Sequence, residues 1–359
     1  MSAVQIVPEY PPKIGGVSSY AAKLACSFQA FAEPLHTIVT CNNHALESTD
    51  TVSRLASPTK EKILKKLEEL GTTSVLLHFS GYGYARWGLC HWLVESLSIW
   101  KQKRNDRKLI TLFHEVYATG PVWRASFWTT HPQRQIARNL ARLSDAAFVT
   151  SQGGYERLKP LHPELPVEVL PVFSNVGEPE TIIPLANRNR TLLIFGGINS
   201  RLRVYRNYQA VILQACRQLN IERIIDIGPT KGLELPSLPN INIEVLGEQP
   251  ARQVSHHLSN TLAGLIDYPP DYLAKSSIFA AYCAHGVLPI NTRFTGVNTD
   301  GLEAQKHYWI PDLTQDVMYS LNMNGLKAQT IANRAHTWYQ NHNLALHSKA
   351  FLQLLMTDK

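Results

Sequence analysis

Short, almost wholly apolar runs alternate along the chain with longer stretches in which apolar residues recur at three- and four-residue spacing. That alternation predicts parallel strands joined by crossover helices. In the first half the runs predict strands at Val4–Val7, His36–Val39, Ser74–Phe79, Lys108–Phe113 and Ala146–Thr150, with helices starting near Val17, Lys60, Gly88 and Gln133. The second half repeats the scheme. Strands are predicted at Thr191–Phe195, Arg223–Ile227, Ile241–Leu246, Ala263–Ile266 and Val287–Ile290, and helices at Tyr205–Leu219, Pro250–Ser259 and Ser276–His285.

Between the two arrays, Pro171–Arg190 is rich in Pro, Asn and Gly and has no clear period, so it reads as a linker. From about Lys327 to Met356 the pattern is helical with no further strand. A chain of 359 residues also exceeds what one hydrophobic core usually serves. The predicted fold is therefore α/β with two Rossmann-like domains, at residues 1–172 and 190–335, and a C-terminal helix in 336–359 that returns to the first domain.

Composition narrows the function classes. No apolar run approaches the roughly 20 residues of a membrane-spanning helix, and the first residues, MSAVQIVPEYPP, do not read as a secretory signal. A cytoplasmic protein is expected. The five cysteines, Cys26, Cys41, Cys90, Cys216 and Cys283, are scattered without a CxxC pair, which points to buried thiols and against a disulfide framework or a zinc site. The formal charge of +7 suits an anionic partner, but the basic clusters carry no nucleic-acid motif. They agree with peripheral contact at an anionic membrane face, and no nucleic-acid partner is expected.

Candidate chemistry lies where predicted strands end. Gly15 and Gly16 follow the first strand and open a helix, where paired glycines and unpaired N–H groups admit an anion or form an ordinary tight turn. The spacing is not GxGxxG. His114 and Glu115 end the strand KLITLFH, the histidine either facing a crevice or structural, the glutamate either orienting its ring or capping the next turn. In FGGINSRLRVYR, Gly196 and Gly197 precede Arg201 and Arg203, either of which offers a guanidinium fork to a diphosphate. Tyr272, Lys275, Ser276 and Ser277 lie at a helix start and offer a cation, hydroxyls and backbone N–H groups, although serine there is also a common cap. Gly228 in IGPTKG, with Leu246 and Gly247 in VLGE, offers backbone groups to a base. Tyr82, Tyr84 and Trp123, with Trp87, Phe127 and Trp128, are aromatics for an acceptor or for lipid.

Taken in order, P-x-x-GG-V-x-x-Y-x-x-x-L at Pro12–Leu24, FHE at Phe113–Glu115, FGG at Phe195–Gly197, VLGE at Val245–Glu248 and KSS with AHG at Ala284–Gly286 resemble a GT-B glycosyltransferase of the retaining family 4 type. The resemblance spans nearly the whole chain. It implies two Rossmann-like domains facing a cleft, the donor nucleotide held by the second, the acceptor by the first, and His114 near the reacting sugar. Backbone groups at Leu246 and Gly247 suit a uracil edge, so the expected co-substrate is a UDP-sugar, UDP-glucose first, with no other cofactor. No metal is expected, because no cluster of carboxylates suited to a hard cation is visible. A basic cytosolic transferase suggests a saccharide or lipid-linked acceptor in envelope or exopolysaccharide synthesis. Three positions depart from the pattern: Gly197 stands where an arginine is usual, and Leu273 and Ala281 where two glutamates are usual. Asp267 or Asp271 are candidate substitutes. A non-catalytic nucleotide-sugar-binding subunit and a sugar-nucleotide epimerase are the competing readings.

Overall fold

The computed structural model describes residues 3–13, 15–31, 34–40, 48–55, 57–120, 123, 125–311, 313 and 325–357. The chain forms two compact units, Met1–Pro171 with Leu344–Lys359, and Val172–Asn343. No helix among the described residues is long and apolar enough to cross a membrane.

Unit 1 is built on strands β1 (Ala3–Val7), β2 (His36–Val39), β3 (Val52–Arg54), β4 (Ser74–Phe79), β5 (Lys108–Phe113), β6 (Ala146–Val149) and β7 (Val167–Val169). They lie in the order β3-β2-β1-β4-β5-β6-β7, and every pairing is parallel. Crossovers carry helices α1 (Gly16–Gln29), α2 (Lys60–Glu69), α3 (Gly81–Tyr84), α4 (His91–Gln102), α5 (Ala125–Leu143) and α6 (Gln152–Leu158). β1 and β4 are buried along their whole length, which is why they read as apolar runs interrupted only by Gln5 in β1 and by Ser74 and His78 in β4. The short β3 and β7 are half-buried and carry no such run, and the sequence pattern misses both. α5 begins at Ala125, well before the expected start near Gln133.

Unit 2 holds β8 (Asn189–Phe195), β9 (Arg223–Ile227), β10 (Asn242–Gly247), β11 (Thr261–Ile266) and β12 (Leu288–Asn291) in the parallel order β10-β9-β8-β11-β12. Its helices are α7 (Ile198–Asn207), α8 (Gln209–Leu219), α9 (Ala251–Asn260), α10 (Ser277–Ala284) and α11 (Gly325–Gln340). The single helix expected over Tyr205–Leu219 is two, broken at Tyr208, whose φ and ψ of −130° and 32° are not helical. The segment read as a linker belongs to this unit: Phe173 and Leu185 are buried, the Val172 amide donates to the Ala274 carbonyl at 3.0 Å, and buried Arg188 donates to the Leu258, Thr261 and His285 carbonyls.

The last helix, α12 (Leu344–Met356), belongs to unit 1, and the chain leaves unit 2 only after Asn343 rather than from residue 336. It packs against α1 and β4: the Ser348 hydroxyl donates to that of Ser27 at 2.7 Å, Ser74 donates to the Leu355 carbonyl at 2.8 Å, and the Phe148 and Phe351 rings meet edge-on at 4.8 Å. Cys90, Cys216 and Cys283 are buried as expected of small hydrophobes, but Cys26 is exposed; Cys41 lies outside the described residues.

Each sheet reverses its winding once, between β1 and β4 and between β8 and β11. In open parallel sheets the helices leave opposite faces at such a point, opening a crevice at the carboxyl ends of the two strands. Those two crevices are where chemistry is to be sought.

Candidate active site

In unit 2 the crevice is organised by a carboxylate. Asp267 follows β11 with its side chain fully buried, and three elements converge on it. Arg203 of α7 donates its Nε to Oδ2 and a second guanidinium nitrogen to the Asp267 carbonyl at 3.2 Å. Thr292, just past β12, donates to Oδ1 at 2.7 Å, and Arg293 donates Nε to Oδ1 at 2.5 Å and a terminal nitrogen to Oδ2 at 3.0 Å. Burial opposes the charge on Asp267, but the hydrogen bonds from Arg293, Arg203 and Thr292 outweigh it and hold the carboxyl far below its usual range. Buried Asn291 ties the two loops together, accepting from the Tyr268 amide at 3.1 Å and donating to the Tyr268 carbonyl at 2.9 Å. Because one buried anion faces two guanidiniums that are 40% and 38% exposed, a net positive charge is left at the mouth of the crevice.

Arg201 has a different role. Only 1% exposed, it pairs with fully buried Asp226 and also donates to the Gly196 and Pro229 carbonyls, so its fork is spent inside the fold. Tyr205 donates to the other oxygen of Asp226 at 3.0 Å. This network ties the loop after β8 to the loop after β9. At Gly228, where φ is +146°, a Cβ would lie 2.2 Å from the Gly196 carbonyl oxygen, so only glycine permits that approach.

Gly196 and Gly197 follow β8, and Gly197 is the N-cap of α7 with no side-chain cap, leaving the first amides of that helix at the crevice. Gly228 and Gly247 join this edge, the Gly228 amide donating to the Gly247 carbonyl at 2.9 Å. The Leu246 carbonyl accepts from Gln249 at 2.6 Å, which leaves one of its two lone pairs for a base. Ser276 serves as the helix cap: it is buried, and its hydroxyl accepts from the Phe279 amide at 3.2 Å. Ser277 opens α10 and is half-buried, and Lys275 lies over the Tyr272 ring at 5.5 Å. Leu273 and Ala281 are both buried, so neither position turns toward a ligand.

Unit 1 places His114 directly after β5, next to the end of β4, with its amide on the Phe79 carbonyl at 2.9 Å. Behind it runs a buried polar chain that sequence reasoning missed. Gln5 on β1 donates its amide nitrogen to Thr37 at 2.7 Å and to the Ala21 carbonyl at 3.1 Å, which turns its oxygen toward His78 Nε2 at 3.0 Å. His78 Nδ1 in turn meets His114 Nε2 at 3.2 Å. These bonds assign the tautomers: His78 donates from Nε2 and accepts at Nδ1, and His114 carries its proton on Nε2. Tyr20 stands edge-on to His78, His114 and His347, and bonds His347 Nδ1 at 2.5 Å, while His347 Nε2 donates to the Pro171 carbonyl at 2.9 Å. A polar residue inside an apolar strand, as Gln5 and His78 are, was the available signal.

Burial pushes His78 down to about 3 and His285 of unit 2 down to about 4, so both are neutral in the native state near pH 7. An unfolded histidine titrates near 6.5 and binds the proton more readily, so this stability is whole above about pH 6.5 and is lost as pH falls toward the folded values. The unfolding free energy from urea titration is expected to drop between pH 7 and pH 4, by up to about 1.4 kcal/mol per pH unit for each such group. The slope should flatten in His78→Gln and in His285→Gln; an unchanged slope in both variants would place the proton uptake elsewhere.

Other expected site residues fall differently. Glu115 is exposed and accepts from Ser80 at 3.4 Å, so it does not orient the His114 ring. Tyr84 is buried and its hydroxyl lies on the Ile6 and His78 carbonyls, at 3.1 and 2.9 Å, which makes it a core residue rather than an acceptor contact. Gly15 caps α1 with an extended backbone, and a Cβ on Gly16 would meet nothing within 4 Å, so the start of α1 is open at Gly16. Tyr82 and Trp123 are exposed, at 46% and 81%.

No protein-family model matches the chain, and no curated protein does. Solved structures do. An alpha-glucosyltransferase in complex with UDP superposes with a TM-score of 0.62 at 10% identity over 99% of both chains. The same kind of enzyme with UDP and a 13-mer DNA containing an HMU base gives 0.62 at 11%, over 99% of this chain and 100% of that one. The pneumococcal O-GlcNAc transferase GtfA, with UDP and GlcNAc, gives 0.62 at 9%, over 99% and 98%. This is the GT-B fold. At such identities the likeness is one of fold, and the chemistry has to come from the side chains. In this GT-B chain the crevice of unit 2 carries the convergent cations, and that of unit 1 carries the histidine chain.

Proposed function

We propose that the chain is a retaining glycosyltransferase of the family 4 type that moves a hexose, best guessed as glucose from UDP-glucose, onto a saccharide or lipid-linked hydroxyl. The observation that carries this reading is the convergence of Arg203 and Arg293 on Asp267 at the β8/β11 crevice of a GT-B unit. Two half-exposed guanidiniums fixed by a buried carboxylate are preorganised donors for a diphosphate, and they stabilise the charge that grows on it as the glycosidic bond breaks. The amides at the start of α7 add the positive end of a helix dipole. With those cations in place the reading assigns no metal to the leaving group. His114 acts on the transferring sugar. UDP in the GT-B neighbours supports the choice of base, while DNA in one of them makes a nucleic-acid hydroxyl an acceptor to be included in the screen.

One observation favours a second reading, a nucleotide-sugar-binding subunit without transfer. The positions where the resemblance expects two donor-site glutamates are apolar and buried, at 1% and 0% exposure for Leu273 and Ala281. Donor hydrolysis with and without acceptor separates the two. For either, UDP at about 100 times its Kd is expected to stabilise the folded state by about 2.7 kcal/mol, a rise in Tm of roughly 5–10 °C for a domain of this size. Equal shifts with UDP, GDP and ADP would remove a specific base site, and protection by GDP alone would overturn the donor assignment.

A further inference from the structure

The exposed face of α5 has no role in the chemistry above. Over its 19 residues, ASFWTTHPQRQIARNLARL, the helix carries no acidic residue. At 100° per residue, Phe127, Trp128, His131, Arg134, Arg138 and Arg142 fall on one side, and all of them are exposed or half-exposed, while Ile136, Ala137, Leu140 and Ala141 on the other side are buried in the core. The aromatic end is unusually bare. Trp128 is 74% exposed, Phe127 42%, and Trp123 just before the helix 81%, with the Phe127 and Trp128 rings edge-on to each other at 5.4 Å. Among the described residues no ion pair reaches Arg134, Arg138 or Arg142.

We propose that this face of α5 docks on an anionic lipid bilayer, the Trp123, Phe127 and Trp128 rings entering the headgroup boundary and the three arginines lying on acidic headgroups. Indole and phenyl rings left in water cost free energy that an interface recovers, and tryptophan favours that depth because its ring is apolar while its N–H stays hydrated. The arginines supply the complementary charge without any acid of α5 to cancel it. A basic helix also suits a phosphate backbone. Against that occupant, the largest exposed surfaces here are aromatic and sit at one end of the helix instead of being interleaved with the cations, as stacking on successive bases would require.

The full-length protein is expected to cosediment with vesicles of mixed phosphatidylcholine and phosphatidylglycerol, weakly with phosphatidylcholine alone, and to show a blue shift of tryptophan emission on binding. Removing the charges in Arg134→Gln/Arg138→Gln/Arg142→Gln should weaken partition by about 100-fold, roughly fivefold for each arginine. Trp123→Ser/Trp128→Ser should weaken it by about tenfold or more and abolish the blue shift. These side chains are exposed or, for Arg138, half-exposed, so UDP-induced stabilisation and Tm should stay close to wild-type values in both variants. Absence of binding to acidic vesicles, equal binding to acidic and neutral ones, or capture of a duplex or single-stranded oligonucleotide in preference to vesicles would each overturn the proposal.

Discussion

His114→Ala is expected to bind UDP within a few-fold of wild type and to lose sugar transfer by about 10² or more, the size seen when an interaction that strengthens in the transition state is removed. The separation of the two effects follows from where the groups lie. The cations proposed to grip the diphosphate are Arg203 and Arg293 in unit 2, whereas His114 is in unit 1 at the end of β5. His114 is also set up as more than a packed ring, because Gln5 and His78 fix its Nε2 proton and so its tautomer. Breaking that chain also risks the fold, so the melting transition of the variant must be compared with wild type. His78→Gln serves as the second probe: it disturbs the support of His114 and leaves the ring in place, and it should lower kcat with little change in KM. A stably folded His114→Ala protein that transfers sugar at near the wild-type rate would end the assignment.

Much of the fold was legible because a strand covered on both faces is mostly apolar, and β1, β4, β11 and the greater part of β5 and β8 are buried in this way. β3 and β7 were not, since a half-buried three-residue edge strand needs no apolar run. The same distinction governs the site. Gly196 and Gly197 were legible from their place after a strand, but Arg201 and Arg203 could not be told apart in sequence. Residues two positions apart on a helix are separated by about 200°, and only the fold shows that Arg201 turns to the sheet and Asp226 while Arg203 turns to the crevice and Asp267. Arg293 was missed because its partner lies in another loop, and the pairing of Asp267 with the segment after β12 exists only once β11 and β12 are neighbours. Ser276 was credited with a ligand for its hydroxyl and Tyr84 for its aromatic ring; in the structure one caps a helix and the other is buried with its hydroxyl on two carbonyls.

The largest loss of nucleotide affinity is expected from the pair that only the structure assembles. Arg203→Ala and Arg293→Ala should each weaken UDP binding by about 1.5–3 kcal/mol, the range for a hydrogen bond to a charged group, with the lower end favoured because both guanidiniums are more than a third exposed and partly screened by water. Either single variant leaves Asp267 one arginine and Thr292, so unit 2 should still fold. The double variant strips a fully buried carboxylate of both cations, a change that costs about 3–5 kcal/mol of stability on its own. Loss of UDP binding there could come from misfolding alone. Adding Asp267→Asn removes the stranded charge, and in the triple variant urea stability should recover most of that loss while UDP affinity stays down by the sum of the two single effects. Isothermal titration of UDP alongside urea unfolding reads both quantities. Recovery of wild-type UDP affinity in the triple variant would show that Arg203 and Arg293 serve only to neutralise Asp267, and the diphosphate site would have to be sought elsewhere on the edge formed by the loops after β8, β9 and β10.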